Sequence, residues 1–313
     1  TLMFIPNPSF LQKPKGGVDW LGLGLLSTGL ASLQYVLERG QHDDWFQSAT
    51  IWTLTIVSVV SLVWFVWKEL HDRHPLVDLN VFRFRTFAIG NIIGIIAGFG
   101  LFGTSLILPL FFQTILGFTA FDTGLALLPG AIATAVSMVI VGRLTGKLDP
   151  RILVSFGMIV FGISTWWMGG LTENAGYWDV FWPRLVQGFA LGFLFVPLST
   201  VTLGAVPKEE LAGASGVSTL LRQLGGSFGI AILTTLLARE TAIAQNALAS
   251  GVTQTHGVSI PVLSQLVGVA SSVIAYDYLF RLSAIVFFVC TPLVFFMRPS
   301  RRSGAAAQPV MAD

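Results

Sequence analysis

The sequence predicts an all-α integral membrane protein of eight transmembrane helices, on three observations. Of its 313 residues 53% are hydrophobic and only 11% are charged, whereas a soluble domain is about 25% charged. The apolar residues gather in runs near the roughly 20 residues that a helix needs to cross about 30 Å of hydrocarbon. The Lys and Arg residues fall mostly on alternate connectors, as they do when one side of a bilayer is cytoplasmic. A mean hydropathy of +0.75 agrees. Strands are a poor alternative, because the runs lack period-two alternation and barrel strands are only about 10 residues long.

The elements follow in order. Residues 1–17 form a cytoplasmic lead-in, and residues 18–67 hold two helices, Trp20–Leu37 and Thr50–Trp67. A cytoplasmic loop, 68–85, leads to a six-helix domain over 86–297. Its spans are Phe87–Phe112, Gly124–Val141, Ile152–Leu171, Phe181–Leu203, Gly213–Leu237 and Tyr278–Met297. Several are apolar all round, as expected where one face meets lipid and another meets neighbouring helices. The stretch 241–277 reads as a long external loop with an interfacial helix. Pro261–Ala275 is apolar enough to raise a ninth span, but it is short, starts at a proline and contains Ser264, Gln265, Ser271 and Ser272. The tail, 298–313, is small and polar and reads as disordered.

Charge placement sets the orientation. With both termini cytoplasmic, Lys13, Lys15, Lys68, Arg73, Arg83, Arg85, Arg143, Lys147, Arg151, Lys208, Arg298, Arg301 and Arg302 share one side. The opposite connectors carry Glu38, Asp43, Asp44, Glu173 and Asp179, with few basic residues. The basic residues do not gather on one face, so nucleic acid is not an expected partner. Cys290, the single cysteine, can form no intrachain disulfide. Thr1 reads as a cut point or a processed start, since no Met precedes it.

Several chemistries lack their motifs. The chain has no phosphate-cradling Gly-x-x-x-x-Gly-Lys-Ser/Thr, no His-Glu-x-x-His and no Gly-x-Ser-x-Gly. His42, His71, His74 and His256 fall in loops, where solvation explains them better than metal binding. Neither a metal, a cofactor nor an enzymatic activity is implied.

What remains is intramembrane polarity and small-residue spacing. Gly90, Gly94 and Gly98 lie on one helix face, as do Gly188 with Gly192 and Gly225 with Gly229. Such spacing lets backbones approach closely, for static packing or for interfaces that slide. Pro109, Pro129, Pro183 and Pro197 lie in or beside spans and can kink them. Arg222 lies about ten residues into its span, where a central Arg costs about 2.5–3.5 kcal/mol. It must face a cavity, or else snorkel to the headgroups. Asn91, Gln113 and Gln187 are neutral polar residues within or at the ends of spans. No Asp or Glu stands mid-span, so no proton carrier is visible.

The connector Gly142-Arg143-Leu144-Thr145-Gly146-Lys147-Leu148-Asp149-Pro150-Arg151 resembles the loop signature of the major facilitator superfamily in the form of its second half. An ordered set of motifs narrows the resemblance to the drug:proton antiporter-2 family of EmrB type. The set is Asp19-Trp20-Leu21-Gly22; Leu33-Gln34-Tyr35 through Gln41, then Asp44-Trp45-Phe46; His74-Pro75-Leu76-Val77-Asp78-Leu79; Pro109-Leu110-Phe111-Phe112-Gln113; Pro129-Gly130; Arg184-Leu185-Val186-Gln187-Gly188-Phe189; Pro197-Leu198-Ser199-Thr200; and Gly225-Gly226-Ser227-Phe228-Gly229. That family has fourteen spans. The resemblance implies that these eight are two linker helices and a carboxy-terminal bundle, a partial superfamily fold. It further implies export of lipophilic, often cationic, drugs in exchange for protons across the bacterial inner membrane. The proton-handling acidic residue would belong to an amino-terminal domain, and the partners would be a periplasmic adaptor and an outer-membrane channel. The first, second, fourth and fifth bundle helices would line the substrate cavity. Asn91, Phe102, Phe111, Gln113, Gln187, Phe189, Phe193 and Arg222 are its candidate residues, with the aromatics able to stack on flat or cationic drugs. A chain complete as given would instead read as a non-transporting membrane scaffold.

Overall fold

The computed structural model describes residues 19–72, 79–208, 210–251 and 260–297. The expectations for 1–17, for 298–313 and for Arg73, His74 and His256 lie outside them. Among the described residues, eight helices are long and apolar enough to cross a membrane: α1 (Trp20–Arg39), α2 (Ala49–His71), α3 (Arg85–Thr114), α4 (Ala120–Leu144), α5 (Pro150–Met168), α6 (Tyr177–Gly204), α7 (Leu211–Gly251) and α8 (Ile260–Cys290). The last continues as a 3-10 turn over Thr291–Phe296.

Helix starts follow local chemistry. The Asp19 carboxylate accepts from the Gly22 amide at 2.9 Å, satisfying a donor that α1 cannot. Thr119 and Asp122 cap α4 reciprocally, each side chain accepting from the other's amide at 3.2 Å. Asp149 accepts from the Arg151 amide at 2.9 Å, with Pro150 opening α5 where a missing N–H costs nothing.

α1 and α2 pair as a hairpin tied at its base. Lys68 Nζ donates to Asp19, and to Asp72 at 3.1 Å. The Gly22 amide first, and Lys68 second, hold the Asp19 carboxyl below the usual carboxylate range. A depressed acid stays charged at neutral pH, so this tie is present there and is lost only as pH falls through the lowered value. Along α1 the hairpin also meets α7, where the Ser227 hydroxyl donates to Gln34 Oε1.

In the six-helix bundle α6 packs on α4, α5 and α3; α8 packs on α5 and α7; and α7 packs on α3. One core gathers Ile93, Met158, Phe161, Leu194 and Phe287, where Phe161 stacks on Phe287 at 4.4 Å. A second gathers Leu108, Phe111, Met168, Tyr276 and Phe280 nearer the other membrane face.

The stretch 241–277 departs from expectation. Its described residues form no loop with a surface helix: Thr241–Gly251 continues α7, and Ile260–Asp277 is the first half of α8. Tyr276 and Asp277 are level with the ends of α3 and α5, since Tyr276 reaches Thr114 at 3.5 Å and Asp277 lies beside Gly169. The preceding turns of α8, like the last turns of α7, therefore project beyond the bundle. At 41 residues α7 is about 60 Å long, twice the hydrocarbon thickness. Ala-rich sequence keeps a nucleated helix going after hydropathy falls. Pro261 did not stop it, because the first turn is where proline is tolerated. Pro261–Ala275 belongs to the same helix as the last span and adds no ninth crossing.

Candidate functional site

Most lipid-facing positions of this bundle are apolar, so a cluster of polar side chains between its helices is the natural place to look for function. One cavity of about 270 Å³ meets that description. It opens between the start of α3, the end of α6 and the start of α7. Gly90, Asn91 and Gly94 come from α3, Ser199 and Thr202 from α6, and Ser218 and Arg222 from α7.

Arg222 is its one charged group. Eleven residues separate it from the start of α7, a depth of about 16 Å. Its guanidinium lies over the Phe195 ring at 5.0 Å, and Nη2 donates to Ser199 Oγ at 3.5 Å. Nε is buried without a partner. Arg222 is placed on the wall of this cavity. Asn91, 4% exposed, donates to the Phe87 carbonyl at 2.9 Å and so stays bonded within α3.

The other sequence candidates are not brought here. Gln187 is fully buried between α6 and α5, accepting from Arg184 Nη1 and donating to Thr165 Oγ1 at 3.4 Å. Phe111 is a core residue, edge-on to Tyr276 at 5.2 Å. Phe189, Phe193 and Phe156 form a row with 4.9 and 5.0 Å centroid spacings. Phe102 packs where α7 offers Gly226, and Gln113 is exposed at the far end of α3. These aromatics are held by packing and do not face the cavity.

In the 142–151 connector Gly146 has φ +101°, which a side chain would resist. Gly142 has open space about its Cα. Arg143 and Lys147 are exposed, and among the described residues no ion pair joins them, Asp149 or Arg151. The Asp149 carboxylate accepts from the Arg151 amide instead.

Sequence reasoning missed the hydroxyls. Ser215, Ser218, Thr219 and Arg222 recur at helical spacing on one face of α7, and Ser199 with Thr202 do so on α6. A polar stripe at that period, inside apolar helices, was the available signal. The glycine stripes are largely packing. A Cβ on Gly98 or Gly225 would strike backbone of the facing helix, at 2.1 and 2.3 Å. Gly94 is the exception: it faces the cavity, with nothing within 4 Å of a Cβ.

Eight membrane-length apolar helices among the described residues, with a polar cavity between three of them, define a multi-pass membrane protein. The chain belongs to the Major Facilitator Superfamily, whose profile matches residues 23–230. It is 34% identical over 305 residues to the multidrug export protein EmrB of Escherichia coli K12, covering 92% of this chain and 60% of that protein. It is 30% identical over 303 residues to the fatty acid resistance protein FarB of Neisseria gonorrhoeae, covering 91% and 60%. The colistin resistance protein EmrB of Acinetobacter baumannii is 26% identical over 302 residues, covering 90% and 59%. The chain thus spans about 60% of the length of these curated relatives.

Proposed function

We propose that this chain acts as the carboxy-terminal part of a fourteen-span exporter that expels lipophilic or cationic toxic compounds in exchange for protons. The observation that carries this is the Arg222 cavity: a polar chamber inside an apolar bundle of a transporter family, where a merely structural bundle would be filled. Asn91 and Arg222 line the substrate path. No Asp or Glu lines the cavity, so the proton carrier is assigned to the portion of the transporter that the relatives' extra length represents.

Both termini are cytoplasmic in this reading, which puts the shared face of Lys68, Arg83, Arg143, Lys147 and Lys208 on the inner side. The projecting ends of α7 and α8 then stand in the periplasm, where a helical hairpin offers a surface to a periplasmic adaptor and, through it, an outer-membrane channel.

Inverted vesicles holding the full-length transporter test the export step. Acidifying their lumen is expected to drive uptake of a fluorescent lipophilic dye, and collapsing the gradient to stop it. Uptake indifferent to the proton gradient contradicts the antiport.

A further inference from the structure

We propose that a second cavity, where α5 ends and α6 begins, holds the headgroup of a zwitterionic phospholipid. The rings of Trp167, Trp178 and Trp182 and the carboxylate of Asp179 take its ammonium. The inference stands apart from the export reading, because it needs only that the chain crosses a bilayer.

The cavity measures about 350 Å³ and is lined also by Thr172 and Asn174 of the α5–α6 connector. Headgroups lie at the ends of spans, and tryptophan gathers at that depth. Here three indoles converge on one hollow. Trp178 and Trp182 stand one turn apart on α6, each 5.2 Å from the Phe181 ring, which braces both. Trp178 is 65% exposed and Trp167 and Trp182 are 52% exposed, so much of each ring is open to a ligand. The faces of such rings carry the negative side of the ring quadrupole and attract a cation. Asp179 is the one charged residue of the lining. Its Oδ2 accepts from the Gly176 amide at 2.8 Å, which leaves Oδ1 for an ammonium N–H. Arg184 and Arg281, on α6 and α8, turn instead to Gln187 and Asp277. The phosphate of the zwitterion is matched as well. Among the described residues the indole N–H groups of Trp167, Trp178 and Trp182 make no hydrogen bond, whereas Trp45 donates to Gln41 at 3.1 Å. Free donors beside an ammonium pocket suit the phosphate oxygens that neighbour the ammonium in the lipid. An anionic headgroup offers no cation to the rings and sets its charge against Asp179.

The probes share their tails and differ in headgroup: dihexanoyl phosphatidylethanolamine and dihexanoyl phosphatidylglycerol, titrated calorimetrically against the purified full-length transporter. The ethanolamine lipid is expected to bind about tenfold more tightly, the size of a desolvated cation–ring contact joined by one charged hydrogen bond. Asp179→Asn keeps an acceptor for the Gly176 amide, and so the start of α6. It should reduce the preference to about threefold or less at an unchanged melting temperature. The double variant Trp178→Leu/Trp182→Leu should do the same. Trp52→Leu/Trp64→Leu, which removes two exposed rings of α2 remote in sequence from the cavity, should leave the preference intact. Equal binding of the two lipids overturns the site, as does a preference that survives Asp179→Asn or the α6 double variant, or one lost equally in the α2 control. Glycerophosphoethanolamine, the same headgroup without tails, should bind far more weakly; binding as tight as the lipid's would overturn the assignment to phospholipid. The readout is lipid binding, so proton-driven efflux can persist when this site fails, and the site can stand when efflux does not.

Discussion

Gly188→Val is expected to leave almost no correctly folded protein. An ideal Cβ on Gly188 would lie 1.9 Å from the Gly130 carbonyl oxygen and 2.7 Å from its Cα. That neighbour is backbone, and it cannot rotate away. The same crossing is knit by Thr134, whose hydroxyl lies 2.8 Å from the Gly130 carbonyl and 2.9 Å from that of Gly188. One turn on, Gly192 admits Ser137 and Met138 equally closely. A valine must push α4 and α6 apart along this whole contact. Overpacking in a filled interior costs about 1–3 kcal/mol and sometimes more, and here it also breaks the threonine bridge. Size-exclusion profiles and denaturant titration of the purified variant check this. Gly124→Ala and Gly216→Ala are the controls, since nothing lies within 4 Å of either Cβ. Both should be neutral, or better by up to about 1 kcal/mol through helix propensity.

Gln187→Leu should destabilise the bundle by about 2 kcal/mol, because it strips a buried guanidinium of its acceptor. Arg184 donates to Gln187, while its Nε has no partner and is pressed against Gly130. Removing one member of a buried polar pair leaves the other desolvated and alone, whereas replacing both with apolar groups of similar size is close to neutral. The double variant Arg184→Leu/Gln187→Leu is therefore expected to recover most of the loss. Equal instability in single and double variants would show that Arg184 has support elsewhere.

The eight crossings were legible because hydrocarbon thickness and apolar run length are one physical quantity seen twice. α1 starts at Trp20, where the apolar run begins, and Asp19 caps it, a signal the run length alone did not carry. The projecting ends of α7 and α8 were hidden, because hydropathy reports the solvent and says little about helix continuation. The site was half legible. Arg222 stood out for its cost in hydrocarbon, and Asn91 for its polarity, and both line the cavity. Gln187 looked the same in sequence, yet a buried arginine one turn away claims it. Phenylalanines were the least readable, because a ring that packs and a ring that stacks on a ligand share one hydropathy. Hydroxyls were passed over because serine and threonine bond so readily to their own helix, as Thr104, Thr165 and Thr235 do.

Cysteine accessibility in intact cells tests the membrane frame on which the rest stands. In a Cys290→Ala background, Lys147→Cys and Lys208→Cys are expected to resist an impermeant maleimide until the membrane is opened. Asn174→Cys, on the connector between α5 and α6, should react from outside. Labelling of Lys147→Cys and Asn174→Cys from the same face would contradict the account.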